Sequence, residues 1–132
     1  MIASTPYKAP VLPFGLPFEG KLDAKNRWVI LANLLPWDRL AAVYNSQLCT
    51  DNGRPAVSGR IAVGALLVKH MLHLSDEETI LQIQENVYLQ YFVGLEVFQT
   101  APLFDPSLFV FIRKRLGAEG AKALESAIVA AM

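Results

Sequence analysis

The sequence lacks the features that disulfide-rich, secreted and membrane proteins need. It contains a single cysteine, Cys49, which excludes an internal disulfide framework and is typical of a reducing compartment. No basic start with an apolar stretch opens the chain, since prolines follow soon after Met1. The longest apolar run, 61–68, is far shorter than the ~18 residues that suggest a membrane span. These absences predict a cytoplasmic protein with no membrane partner.

An excess of either charge is also missing. Twelve Lys and Arg balance twelve Asp and Glu, whereas nucleic-acid binders usually carry a basic excess that neutralises phosphates. A strong stand-alone DNA binder is therefore disfavoured unless the cations cluster locally. Hydrophobic residues reach 53% and charged residues only 18%, which predicts one well-packed domain over 1–132 that leaves apolar surface for a partner.

Helical patterns fill most of the chain, and no segment alternates cleanly as a strand would, so we predict an all-α, compact multi-helix fold. Residues 1–22 are the exception, because their four prolines favour an extended arm. Helices are predicted over 23–35, 36–48, 58–74, 75–86, 87–93, 105–117 and 118–131. The expected helix starts are Asp23, Pro36, Ser58, the capping box Ser75 to Glu78, Asn86, and Asp105-Pro106. The expected ends are Gly94 and Gly117.

The apolar spacing also predicts which side chains face the core. The third helix is apolar on nearly every side, which is typical of a helix covered by others. On the other helices, helical spacing predicts these inward residues: Trp28, Leu31, Leu35, Leu40, Val43, Tyr44, Ile80, Leu81, Ile83 and Val87.

A short turn joins the third and fourth helices, as in a helix-turn-helix pair, although many helical pairs that do not bind DNA share that spacing. The order of the motifs is more specific. The chain reads Asn26-Arg27-Trp28-Val29, Leu35-Pro36-Trp37-Asp38, Gly53-Arg54-Pro55-Ala56, 64–70, 74–80, 85–94, 104–108 and 113–117. Over residues 7–117 this succession resembles the N-terminal helical domain of bacterial insertion-sequence transposases of the DDE type.

The resemblance implies a role in recognising the terminal inverted repeats of an element in duplex DNA and in assembling a homo-oligomeric complex on the nucleoid. In such transposases a separate RNase H-like domain holds two metals on three carboxylates and cuts and joins DNA. The sequence ends at Met132, before such a domain would begin. We therefore expect no catalysis by this chain alone, no cofactor and no metal, with the missing catalytic domain as a partner.

The fourth helix would present Asp76, Glu77 and Glu78 to the phosphates, so its end should not enter the groove. The candidate DNA-contacting residues are instead the cations Arg54, Arg60, Lys69, Arg113, Lys114 and Arg115. Successive residues point about 100° apart, so the last three cannot share one helix face, and an ordinary solvated face is the alternative.

Other patterns leave alternatives open. His70 and His73 with nearby acids are an incomplete metal-ligand set, and partly buried histidines are the simpler interpretation. The stripe Tyr88, Tyr91 and Phe92 fits a core or a subunit seam better than base stacking. A second function is self-association of a truncated transposase, through 87–93 and 118–131, without DNA binding. An independent helical enzyme lacks a convincing catalytic set.

Overall fold

A computed structural model describes residues 21–46 and 57–131 of the chain. Its elements are α1 (Arg27–Leu34), α2 (Trp37–Ser46), α3 (Gly59–Leu72), α4 (Asp76–Glu85), α5 (Val87–Val93) and α6 (Leu108–Ala131). No strand occurs in these two ranges, and the all-α prediction is confirmed. None of the helices described is long and apolar enough to cross a membrane. The predicted arm over 1–20 lies outside the described residues.

Most of the predicted helix starts are confirmed by hydrogen bonds from backbone N–H groups to side chains. The Ser58 hydroxyl accepts from the Ile61 N–H at 3.2 Å, and the Ser75 hydroxyl accepts from the Glu78 N–H at 3.0 Å. The Asn86 side chain accepts from the Tyr88 and Leu89 N–H groups of α5, at 2.8 and 3.2 Å. Each bond satisfies a donor that the helix itself leaves unpaired.

The predicted start of α1 is wrong. The capping side chain is Asn26, whose oxygen accepts from the Trp28 N–H at 2.8 Å. Asp23 instead accepts from the Lys25 N–H at 2.9 Å, while its carbonyl accepts from the Asn26 N–H at 3.0 Å. Asp23 therefore closes a turn of its own, because a short acidic side chain stabilises a turn as readily as a helix start.

The core forms where α3 and α5 lie close together, with α1 and α2 packed around them. At Gly64 an added Cβ would sit 3.0 Å from the Val93 Cα, so a side chain there would push the two helices apart. Phe92 is fully buried and meets Trp28 and Trp37 edge-on, with ring centroids 5.1 and 5.2 Å apart. The prediction that α3 is the central helix is confirmed.

One predicted core residue is exposed. Leu81 keeps 47% of its surface accessible, whereas Ile80 and Ile83 are buried. The face of α4 that packs inward is defined by Ile80 and Ile83, and position 81 points about 100° away from Ile80. The prediction of an inward Leu81 is therefore wrong.

A buried glutamine amide anchors the segment between α5 and α6. Gln90 is 1% exposed, and its Nε2 donates to the carbonyls of Ile83, Gln84 and Gln99 at 3.1, 3.2 and 2.8 Å. Its Oε1 accepts from the Gln99 N–H at 2.9 Å. Because every polar atom of this amide is paired, it holds the segment against α4 and α5 at little cost in desolvation.

The last helix is interrupted in the middle. Gly117 has φ 67° and ψ 179°, a backbone conformation that is not helical and that essentially only glycine adopts. This confirms that one helix stops at Gly117 and that 118–131 is a separate helical stretch. α6 packs against α2, with Phe109, Ile112, Leu116 and Leu124 buried.

Candidate nucleic-acid interface

An open cleft lies at the turn between α3 and α4, facing α6. The cleft has a volume of about 620 Å³. The chain leaves α3 through His73, whose backbone is left-handed (φ 56°, ψ 51°), and the Leu74 N–H then bonds to the Lys69 carbonyl at 3.0 Å. The titratable side chains that line the cleft are Lys69, His70, His73, Asp76, Glu77 and Arg113. Two of the predicted cations, Lys69 and Arg113, therefore come together here from helices far apart in sequence.

Both cations are held by one carboxylate. The Arg113 guanidinium donates to the two Asp76 oxygens, at 2.9 Å from Nη1 and 3.3 Å from Nη2. Lys69 Nζ lies 3.6 Å from Asp76 Oδ1 and donates to the Leu74 carbonyl at 2.8 Å. The hydrogen bond from Arg113, with the positive charges of Arg113 and Lys69, lowers the pKa of Asp76 against the opposing effect of partial burial. The same hydrogen bond raises the pKa of Arg113.

Lys114 and Arg115 follow directly on α6 and differ from Arg113 in their contacts. Lys114 is exposed and Arg115 is half-buried. Within the described part of the chain, neither side chain forms a hydrogen bond or an ion pair. These two cations are therefore available to an external anion, whereas Lys69 and Arg113 in the cleft share Asp76.

Arg60 is partly buried and does not line this cleft. Its guanidinium carbon is 4.0 Å from the centre of the Trp37 ring, and its Nη2 donates to the Phe92 carbonyl at 3.0 Å. Its Nε is buried without a hydrogen-bond partner, and burial lowers the pKa of the group. Because Arg60 caps the carbonyl end of α5, we leave it out of the proposed DNA contacts. Arg54, the remaining candidate, lies outside the described residues.

Sequence reasoning missed one cation beside α3. Arg27, exposed at the start of α1, lines a groove of about 100 Å³ with Trp28, Leu31, Met71 and Leu72. Its guanidinium carbon lies 5.4 Å from the centre of the Trp28 ring. Arg27 of α1 therefore lies beside the last turn of α3, the turn that also carries Lys69. Only folding brings these residues together, because more than forty positions separate them in sequence.

Two alternative interpretations of the site receive no support. In residues 21–46 and 57–131, no group of three or more His, Cys, Asp or Glu side chains is placed to hold a metal ion. Two of the three aromatic side chains on the α5 stripe lie in the core, since Tyr91 and Phe92 are 7% and 0% exposed, whereas Tyr88 is partly buried. Base stacking on the two buried rings is excluded in the folded domain.

The burial of α5 also contradicts the prediction that 87–93 is a self-association face. Residues 89–93 are all buried, so this helix has no apolar face to offer. Exposed apolar side chains lie elsewhere, above all on α6, where Val110 and Phe111 are 48% and 63% exposed. Ile30 and Leu34 on α1, and Met71 on α3, are exposed as well.

Comparison with known proteins identifies the family. Residues 16–115 match the family described as "Transposase domain (DUF772)". The chain is 37% identical over 118 residues to a protein of Rhizobium meliloti described as "Uncharacterized protein ORF8 in nfe locus". The match covers 86% of this chain, which spans 56% of that relative's length. No solved structure matches. With three quarters of its residues matched, the chain belongs to the DUF772 transposase-domain family.

Proposed function

We propose that this domain is a DNA-binding and assembly module of a transposase, which contacts the terminal inverted repeats of its element. Membership of a transposase family gives it a role related to transposition. The observation that carries the finer proposal is the position of Lys114 and Arg115. Their side chains are unpaired within the described residues, and they follow Arg113 on α6, which lines the cleft together with Lys69.

These contacts would go to the phosphate backbone and not to base edges. The first turn of α4 carries Asp76, Glu77 and Glu78, and such carboxylates repel phosphates. α3 and α4, joined through 73–75, would therefore lie along the backbone like a helix-turn-helix pair whose second helix stays out of the groove. Backbone contacts fix the register of a protein on DNA without reading its sequence.

Cutting and joining of DNA belong, in this proposal, to another part of the transposase. The residues described offer neither a metal-ligand cluster nor a set of paired acid and base groups in the cleft beyond the Asp76 ion pairs. The domain would contribute end recognition, and the catalytic domain would be its partner.

Titration of a fluorescent duplex with the purified chain tests the proposal, with an inverted-repeat duplex and a random duplex at several salt concentrations. Each phosphate neutralised should steepen the fall of log affinity against log salt by about 0.9. Lys114→Gln should lower affinity and reduce that slope by about one contact. Lys122→Gln, which removes another exposed lysine of α6, is the matched control and should change little. Negligible binding to both duplexes would refute DNA binding.

Self-association without DNA binding is the second candidate, favoured by the exposure of Phe111 and Val110 side by side on α6. Large apolar side chains exposed together are typical of interaction surfaces. Phe111→Ser should then convert an oligomer to a monomer in sedimentation experiments, whereas Leu81→Ser, at an equally apolar exposed position of α4, should not. A wild-type chain that stays monomeric at high concentration would exclude this candidate.

A further inference from the structure

The Asp76 carboxylate occupies the position that a phosphate would take between Lys69 and Arg113. A guanidinium binds carboxylates and phosphates with the same planar pair of N–H groups. Arg113 makes that two-bond contact with Asp76, at 2.9 and 3.3 Å, and Lys69 Nζ approaches one of the same oxygens at 3.6 Å. The two cations are thus already arranged around an anion that the chain itself supplies.

The contact can open without disturbing the fold. The side chains of Asp76 and Arg113 are 23% and 47% exposed, so water can replace each partner. The start of α4 does not depend on the Asp76 carboxylate, because Ser75 caps the helix through the Glu78 N–H. Lys69 also donates to the Leu74 carbonyl, a bond that does not involve Asp76. The cleft of about 620 Å³ has room for a phosphate group with its bound water.

We propose that Asp76 is an internal competitor for DNA: the Lys69–Arg113 pair binds a backbone phosphate of duplex DNA in exchange for the Asp76 carboxylate. The inference rests on the proposed DNA binding and adds a site and a positioning residue to it. Since a surface ion pair contributes little to stability, the exchange costs little. The exchange explains how a chain with no net charge can present two cations to DNA only where a phosphate is available.

The test is duplex binding by Asp76→Asn, which keeps the size of the side chain and removes its charge. Affinity should rise about fivefold at low salt, and the salt dependence should steepen, because the phosphate then binds without setting free a carboxylate that takes up a cation. Glu78→Gln is the matched control, since it removes the same charge from the same helical turn, and Glu78 does not line the cleft. Its affinity should rise by much less.

Arg113→Gln, made in the wild-type chain and in the Asp76→Asn chain, tests whether the gain in affinity comes from Arg113. In the wild-type chain Arg113 is occupied by Asp76, so the substitution should lower affinity only slightly. In the Asp76→Asn chain it should abolish most of the fivefold gain, because the freed guanidinium is then the phosphate ligand. Circular dichroism of every variant establishes that the helices are retained.

The outcomes separate this inference from the proposed function. If the wild-type chain binds DNA but Asp76→Asn gains no more than Glu78→Gln, the competitor is refuted and DNA binding stands. If no chain binds DNA, both fail. A measurement on the wild-type chain needs no variant: the ¹³C signal of the Asp76 carboxyl should shift when duplex is added, whereas that of Glu78 should not. An unmoved Asp76 signal with bound duplex overturns the exchange.

Discussion

Arg60 and Arg113 are equivalent in sequence, as cations of a helical chain, yet the fold uses them in opposite ways. Arg60 stacks on Trp37 and caps the carbonyl end of α5, with its Nε buried. Arg113 lies at the surface and shares Asp76 with Lys69. The acceptor nearest to a cation therefore decides whether that cation is available to an external anion. A backbone carbonyl in the core cannot be exchanged, whereas an exposed carboxylate can.

The largest expected effect is the loss of stability on replacing Arg60. Arg60→Met keeps an unbranched side chain but removes the hydrogen bond to the Phe92 carbonyl and the contact of the charge with Trp37. The free energy of unfolding should fall by about 2 kcal/mol, measured by urea denaturation. Lys122→Met, which removes an exposed cation, should change it by less than about 0.5 kcal/mol. Equal, small effects at both positions would show that Arg60 is as dispensable as a surface residue.

A smaller and opposite effect is expected at the turn beside the cleft. His73 adopts φ 56°, where a side chain costs about 1 kcal/mol and glycine costs nothing. His73→Gly should therefore stabilise the domain by about 0.5 kcal/mol, after the greater chain entropy of glycine is deducted. His70→Gly, in the last helical turn of α3, should instead destabilise it by about 1 kcal/mol. The two changes should move the melting temperature in opposite directions, and a drop in both would refute the strain at His73.

The smallest effect concerns the ion pair itself. Arg113→Gln should lower stability at neutral pH by less than about 1 kcal/mol, because the pair is exposed. The pKa of Asp76 is lowered in the folded chain, so its contribution is present above the ordinary value of 3.8 and is lost as pH falls through the lower folded value. Below about pH 4 the melting temperature of wild type should therefore approach that of Asp76→Asn. Curves that stay parallel down to pH 2 would contradict this.

Local chemistry made much of this fold predictable. Ser58, Ser75 and Asn86 cap their helices, and Gly94 and Gly117 end theirs, because each signal acts within four residues of chain. Local signals fail where two similar residues compete. Asp23 and Asn26 are both good caps, and the structure uses Asn26, two residues before the buried Trp28.

The candidate site was predictable only in part, because its contacts join distant segments. Lys69 and Arg113 were candidates by charge, but nothing in the sequence pairs Arg113 with Asp76 across 37 positions. The same holds for Arg60 and Phe92, which are 32 positions apart. The stripe of α5 could face a core or a partner, since both surfaces require the same apolar spacing, and only tertiary packing distinguishes them.

Gly117 determines where the final fourteen or so residues of α6 run. Its ψ of 179° turns the chain so that Leu124 can reach the core, and no atom lies within 4 Å of the place where a Cβ would stand. There is therefore room for a side chain at position 117, but the backbone angles there disfavour every residue except glycine. Any residue that prefers helical angles would straighten 108–131 into one rod about 36 Å long, lifting Leu124 into water. The absence of a Cβ at position 117 thus allows the bend that keeps Leu124 against the domain.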